Sequence, residues 1–315
     1  MRGVGTAILT DPDDYEVSFR GAKIILVPTG HGSFKARLTC MELPNLHLYS
    51  SQDDLARIAY ISLVPQRSFI SLPMSFDPPP IWRGAELRPG DIIWHSIGER
   101  MHQRTNGASR WAFMSLPPDI LAKFGNALIG VDLVPPSVGR VMRPPAGAAA
   151  RLRRQCARAC RVAESKPDQI AHGEAARALE QDLLHAIVNC ITPPDTHEHG
   201  AKLQYHTSIM ARFEELLTAD AGRKLRLSEM CTALGVPERT LRLCCAEMLG
   251  MGPSQYVRLR RLKLVRSALR RAGPAGTTIA QIAGQYGFSE FGRFAIAYRL
   301  AFGEKPSATL QRFGS

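Results

Sequence analysis

The sequence predicts an α+β protein of several domains: a β-barrel or double-sheet roll at the front, a helical linker, and an all-α end built from two helix-turn-helix units. Three observations carry this expectation. Short β-branched and aromatic runs separated by Gly/Pro turns fill the chain up to about residue 116, apolar residues recur at helical spacing beyond it, and residues 225–315 contain an internal repeat.

The 315 residues suit two or three domains, and 45% hydrophobic with 22% charged residues is an ordinary globular balance able to bury a core. The expected divisions are 1–135, 136–204 and 205–315. The net charge of +12 is unevenly placed: residues 1–135 are neutral, whereas 205–315 hold 17 Lys and Arg against 8 Asp and Glu. A basic segment attached to a neutral one is the electrostatic footprint of nucleic-acid binding. No stretch reaches the ~18 apolar residues of a membrane helix, and Asp11, Asp13 and Asp14 interrupt the start. A soluble, cytoplasmic protein without a membrane partner is expected.

The strand candidates are 22–28, 34–40, 57–64, 69–74, 91–94 and 111–116. Turn signals such as Thr29-Gly30-His31-Gly32 and Arg88-Pro89-Gly90-Asp91 divide them. Pro118 and Asp119 open a helix. After the Pro-rich boundary at 133–147, residues 148–165 place Leu152, Cys156, Ala159 and Cys160 on one helical face. Residues 168–191 align Ala176, Leu179, Leu183, Leu184, Ile187 and Val188 in a stripe. That stripe is long enough to pair with a copy of itself in a homodimer, or to pack on the preceding helix. Thr192-Pro193-Pro194-Asp195 ends it, and 196–202 reads as a polar linker.

Residues 227–254 lie over 279–307 with one residue inserted after the Gly. Cys231 and Ala283 supply the small residue where two helices cross, and Gly235 and Gly287 supply the tight turn four residues later. Leu241 and Phe294 return an apolar side chain to the core. Gly250-x-x-Pro253-Ser254 matches Gly303-x-x-Pro306-Ser307, a helix stop followed by a helix start. Residues 254–272 read as one connecting helix.

On these residues, and on QYVRLRRLKLVRSAL (255–269), residues 205–315 resemble the AraC/XylS-type DNA-binding domain. The resemblance implies two three-helix units, each placing its second helix-turn-helix helix in the major groove of double-stranded DNA. It further implies regulation of transcription, as an activator or a repressor, with RNA polymerase as a further candidate partner. On the first such helix Arg239, Thr240, Arg242 and Leu243 fall at base-facing positions, and Arg is the usual reader of guanine. On the second, Glu290, Phe291, Arg293 and Ile296 do so, a less polar set offering fewer hydrogen bonds to bases. Arg258, Arg260 and Lys263 on the connecting helix are expected at phosphates, whereas Arg261 meets phosphate or joins the two units.

Residues 85–117 resemble, more weakly, a cupin-like sensor domain. His31, His47, His95 and His102 lack the His-x-His spacing of metal cupins, so a small-molecule effector sensor without metal or cofactor is expected rather than an enzyme. Trp82, Trp94 and Trp111, with Phe113, suit either effector contacts or aromatic core residues of a small β domain. Two other classes fit a fused helix-turn-helix: a catalytic or metal-binding cupin, and a DNA-alkyl-transfer protein. The latter needs a zinc-held Cys cluster, and the front domain holds only Cys40. Cys156 and Cys160, near Arg153, Arg154 and Arg161, suit either a redox pair or small core residues.

Overall fold

The structure, a computed structural model, describes residues 3–171, 173–191, 201–221, 223, 225–272 and 278–312. Strand β1 (Val4–Leu9) and the short helix α1 (Pro12–Val17) precede β2 (Ala22–Pro28), β3 (Ala36–Glu42), β4 (His47–Asp53), β5 (Arg57–Leu63) and β6 (Ser68–Pro73). After them come β7 (Ile81–Trp82), β8 (Ala85–Glu86), β9 (Ile92–Trp94), β10 (Arg100–Thr105), β11 (Ser109–Leu116), α2 (Pro118–Ile129) and β12 (Arg140–Met142). These strands form two antiparallel sheets, ordered β1-β3-β4-β11-β6-β9-β12 and β2-β5-β10-β7-β8.

Period-two alternation explains the layering. In β11, Trp111 points between the sheets while Ala112 and Met114 point outward. In β5, Ala59 and Ile61 point between the sheets and Ile58 outward. One core, containing Leu26, Leu38, Trp82 and Trp111, lies between the sheets. The outer face of the larger sheet is covered by α2, α3 (Ala146–Ser165), α4 (Pro167–Ala171) and α5 (Gly173–Ile191). The smaller sheet contributes Val27 and Ile58 to the core of the C-terminal helices. The molecule is therefore four layers deep: helices, sheet, sheet, helices.

The stripe on α5 is spent inside the chain. Leu183, Leu184, Ile187 and Val188 are fully buried against α3 and the sheet, and the opposite positions Arg177, Gln181, Asp182 and His185 are exposed. Of the two packings open to that stripe, this is the one adopted. Glu180 fixes the helix in place by accepting hydrogen bonds from Asn45 N at 2.7 Å and Asn45 Nδ2 at 2.9 Å. The Pro193-Pro194 stop and residues 196–200 of the expected linker fall outside the described residues, whereas residues 201 and 202 open the next helix.

The three tryptophans do not form one pocket. Trp82 and Trp111 are fully buried between the sheets, whereas Trp94 packs on the other face of the larger sheet among helical residues. This corrects their grouping as effector contacts; strand alternation sends Trp94 to the opposite side. Cys156 and Cys160 also sit in the core, and burial pushes both thiols up, against the depressed value a redox-active thiolate needs.

From residue 201 onward come α6 (Ala201–Ala219), α7 (Leu227–Leu234), α8 (Glu238–Leu249), α9 (Pro253–Ala272), α10 (Ile279–Gln285), α11 (Phe291–Phe302) and α12 (Pro306–Arg312). They enclose two small cores. Tyr256 and Val257 of α9 belong to the first, Leu262, Val265 and Leu269 to the second, and Leu259 touches both.

Candidate nucleic-acid interface

The internal repeat folds as the same local structure twice. Gly235 and Gly287 both take positive φ, 64° and 72°, the left-handed region that glycine enters without steric cost. Just beyond each, a backbone N–H returns to the preceding helix: Val236 to Cys231 O at 3.1 Å, and Phe288 to Ala283 O at 3.0 Å. Leu241 and Phe294 are buried at matching places. Gly250 and Gly303 end α8 and α11 with φ of 71° and 73°, their N–H groups bonding Ala246 O and Arg299 O.

On α8 the buried stripe is Leu241, Cys244, Cys245 and Met248. Arg239, Arg242 and Leu243 are exposed on the opposite side, and Thr240 is half-buried. Arg242 is paired with Glu238 at 2.6 Å across one helical turn, an exposed pair that solvent weakens and an anion can replace. On α11, Glu290, Phe291, Arg293 and Ile296 are all exposed, with Glu290 and Arg293 paired at 2.9 Å. Phe291, Ile296 and Leu300 are 46%, 65% and 55% exposed, so the open face of α11 is apolar, as its sequence implies.

The cations of α9 separate into two kinds. Arg258 is exposed, but Arg260 and Lys263 are buried in ion pairs, which corrects their placement on an open phosphate-facing surface. Arg260 reaches Glu214 of α6 at 3.3 Å, and Lys263 pairs with Glu16 and with Asp13 at 3.7 Å. Glu214 also lies 3.0 Å from His102 Nε2 and accepts from Tyr256 Oη at 2.5 Å. Burial pushes the Glu214 carboxyl up, but the Arg260 charge and the two hydrogen bonds outweigh it, and the net shift is downward. Arg261 forms no ion pair among the described residues. Its Nε donates to Tyr286 O at 2.6 Å and its guanidinium lies 4.5 Å from the Phe288 ring centre, so it joins α9 to the second unit.

The sequence reading missed α1 and what it grips. Asp11 caps this helix and pairs with Arg266 and, at 2.7 Å, with Arg270; Asp14 reaches Arg270 at 3.0 Å. The signal was present as Asp11-Pro12-Asp13-Asp14, a capped helix start with an acidic first turn. The β region also abuts both helix ends of the repeat. Gly84 lies under Glu247 and Arg104 under Gly250 at the end of α8, while His31 Nδ1 is 3.1 Å from Leu300 O and Gly32 lies under Gly303 at the end of α11.

The repeat, its shared turns and the exposed faces of α8 and α11 define a helix-turn-helix domain. Residues 230–312 match the family model described as a helix-turn-helix domain. A probable thc operon regulatory protein of Rhodococcus erythropolis is 33% identical over 97 residues, 31% of this chain and 29% of that protein. The XylDLEGF operon transcriptional activator of Pseudomonas putida is 33% identical over 101 residues, 32% of each. A solved structure of a probable AraC family transcriptional regulator from Rhodopseudomonas palustris is 30% identical, covering 34% of this chain and 99% of that one, with a TM-score of 0.32. The C-terminal third of the chain is thus a DNA-binding helix-turn-helix domain of the AraC/XylS type. The chain spans about a third of the length of these two curated relatives. Among the described residues no three His, Cys, Asp or Glu stand close enough to hold a metal ion, and no helix is long and apolar enough to cross a membrane.

Proposed function

We propose that the protein is a sequence-specific transcription regulator whose two helix-turn-helix units read adjacent major grooves on one side of the duplex. The observation that carries this reading is the duplicated turn geometry, with Arg239 and Arg242 left free of the core on α8. At 1.5 Å per residue the 20-residue α9 spans about 30 Å, close to the ~34 Å turn of DNA that separates successive major-groove faces. The first unit supplies base-specific hydrogen bonds, and the second adds polar contact through Arg293 and thymine-methyl contact through Phe291 and Ile296.

In this reading the two-sheet region is a cupin-like sensor for a small-molecule effector, and the α1–α9 ion pairs connect it to the reader. The operon activators among the relatives support activation as the outcome. A homodimer would join two such readers on one operator, using a surface other than the α5 stripe. The test is selection of duplexes from a random pool by the full-length protein. A shared motif spanning about two helical turns is expected, and equal recovery of all sequences would overturn the reading.

A further inference from the structure

Helix α3 carries a row of charge that neither the core nor the reading of bases uses. Arg151, Arg154, Arg158 and Arg161 are all exposed, on the side opposite the buried Leu152, Cys156, Ala159 and Cys160. At about 100° per residue the four fall within roughly 80° of one another, a straight row about 15 Å long. None of them pairs with a carboxylate or donates a side-chain hydrogen bond among the described residues. The one acid of the helix, Glu164, is turned to β3, where it accepts from Thr39 Oγ1 at 3.1 Å and faces Arg37 at 3.7 Å.

Like charges three and four residues apart on a helix repel, so an outside partner that brings negative charge is favoured here. The chemistry of the row narrows what that partner is. A helix that lies in a membrane surface sets aromatic and leucine side chains beside its cations, but the apolar side of α3 is already packed on the larger sheet. A protein interface has an apolar centre, whereas the positions between these arginines are Gln155 and Ala157. A phosphodiester backbone fits better, because guanidinium forks match phosphate oxygens and the row runs past about four base pairs at ~3.4 Å each.

The place of the row decides which DNA it meets. Helix α3 covers the outer face of the larger sheet, and the helix-turn-helix units lie beyond the smaller one. At about 10 Å per layer the row stands on the order of 30 Å from them and faces away. A straight duplex seated on α8 and α11 does not reach it.

We infer that Arg151, Arg154, Arg158 and Arg161 form a second, sequence-independent DNA contact, which holds the backbone of another duplex segment while the helical units read the first. The row stands on its own charge and geometry; the joining of two segments by one chain rests on the DNA-binding reading above.

The experiment uses the full-length protein, saturated with a short duplex it has itself selected, and a labelled duplex of random sequence. The saturated wild type should retain the labelled duplex, and less of it as salt rises. The triple variant Arg151→Gln/Arg154→Gln/Arg158→Gln keeps good helix formers at three exposed positions, so the fold should survive, which an unchanged melting temperature checks. It should hold the random duplex about tenfold more weakly or worse, with a salt slope lower by about three, at an unchanged affinity for the selected duplex. Equal retention by the variant, or none by the saturated wild type, would overturn the α3 contact and leave the reading of bases intact. Retention of phosphatidylserine vesicles or of polyglutamate in place of the duplex would overturn it in favour of a membrane or an acidic protein surface. A wild type that selects no duplex would overturn the DNA-binding reading instead, and random duplex with the same variant then tests the row alone.

Discussion

Arg239 and Glu214 show how differently one charged side chain can be used. Arg239 and Arg242 are exposed opposite a buried stripe, where they add nothing to packing and are free to reach guanine edges. Arg239→Ala or Arg242→Ala should weaken binding to a selected site by roughly 1–3 kcal/mol and relax preference at one or two base pairs. Equal loss on selected and random duplexes would make both phosphate contacts. Glu214 is wholly buried among Arg260, His102 and Tyr256, so Glu214→Ala leaves a buried cation unpaired and should cost roughly 3–5 kcal/mol in a denaturant titration. Its lowered pKa means the native state binds the proton less readily than the unfolded chain does. Its contribution is then complete above the ordinary carboxylate range and lost as pH falls through the lower folded value. The melting temperature of the wild type should therefore drop more steeply on acidification than that of Glu214→Gln; parallel curves would remove Glu214 from the account.

At the level of elements, legibility followed periodicity and turn chemistry. Strand 22–28 and the single helix over 254–272 were readable because β-branched runs and a Pro-flanked apolar pattern leave few alternatives. Strand β4, HLYSSQD, was not, because Ser50, Ser51 and Asp53 are buried polar residues in a run that lacks apolar alternation, and part of what satisfies Asp53 lies far off in sequence: Ser109 donates to it at 2.8 Å. The burial of Arg260 and Lys263 was hidden for the same reason: their carboxylates lie on α6 and α1, far away in sequence. The exposed positions of α8 were recoverable, since the repeat itself marks which face is core. For α5, the fate of its stripe gives a direct test. Leu183→Ala should destabilise the full-length protein by roughly 2–5 kcal/mol through the cavity it leaves. A change in oligomeric state at unchanged stability would instead place Leu183 between chains.

The whole molecule is assembled so that the helix-turn-helix domain does not stand apart from the sheets. Val27 and Ile58 complete the first helical core, so a fragment beginning at residue 201 should melt below the full chain even if it keeps its fold. The basic surface makes DNA binding strongly salt-dependent; affinity unchanged between low and high salt would contradict the uneven charge distribution. The β region meets the end of α8 at Gly250 and the end of α11 at Gly303, two equivalent positions in the repeat. Such an arrangement works as a strut across a hinge: unit two cannot swing about α9 without breaking one of these contacts. One inserted base pair lengthens a site by about 3.4 Å and turns its far half by roughly a tenth of a revolution. The intact protein should therefore reject such a site, and Arg104→Ala combined with His31→Ala should tolerate it better at equal affinity for the original spacing. The expected consequence, which that spacing comparison checks, is a division of labour in which the helices read letters and the sheets measure the distance between words.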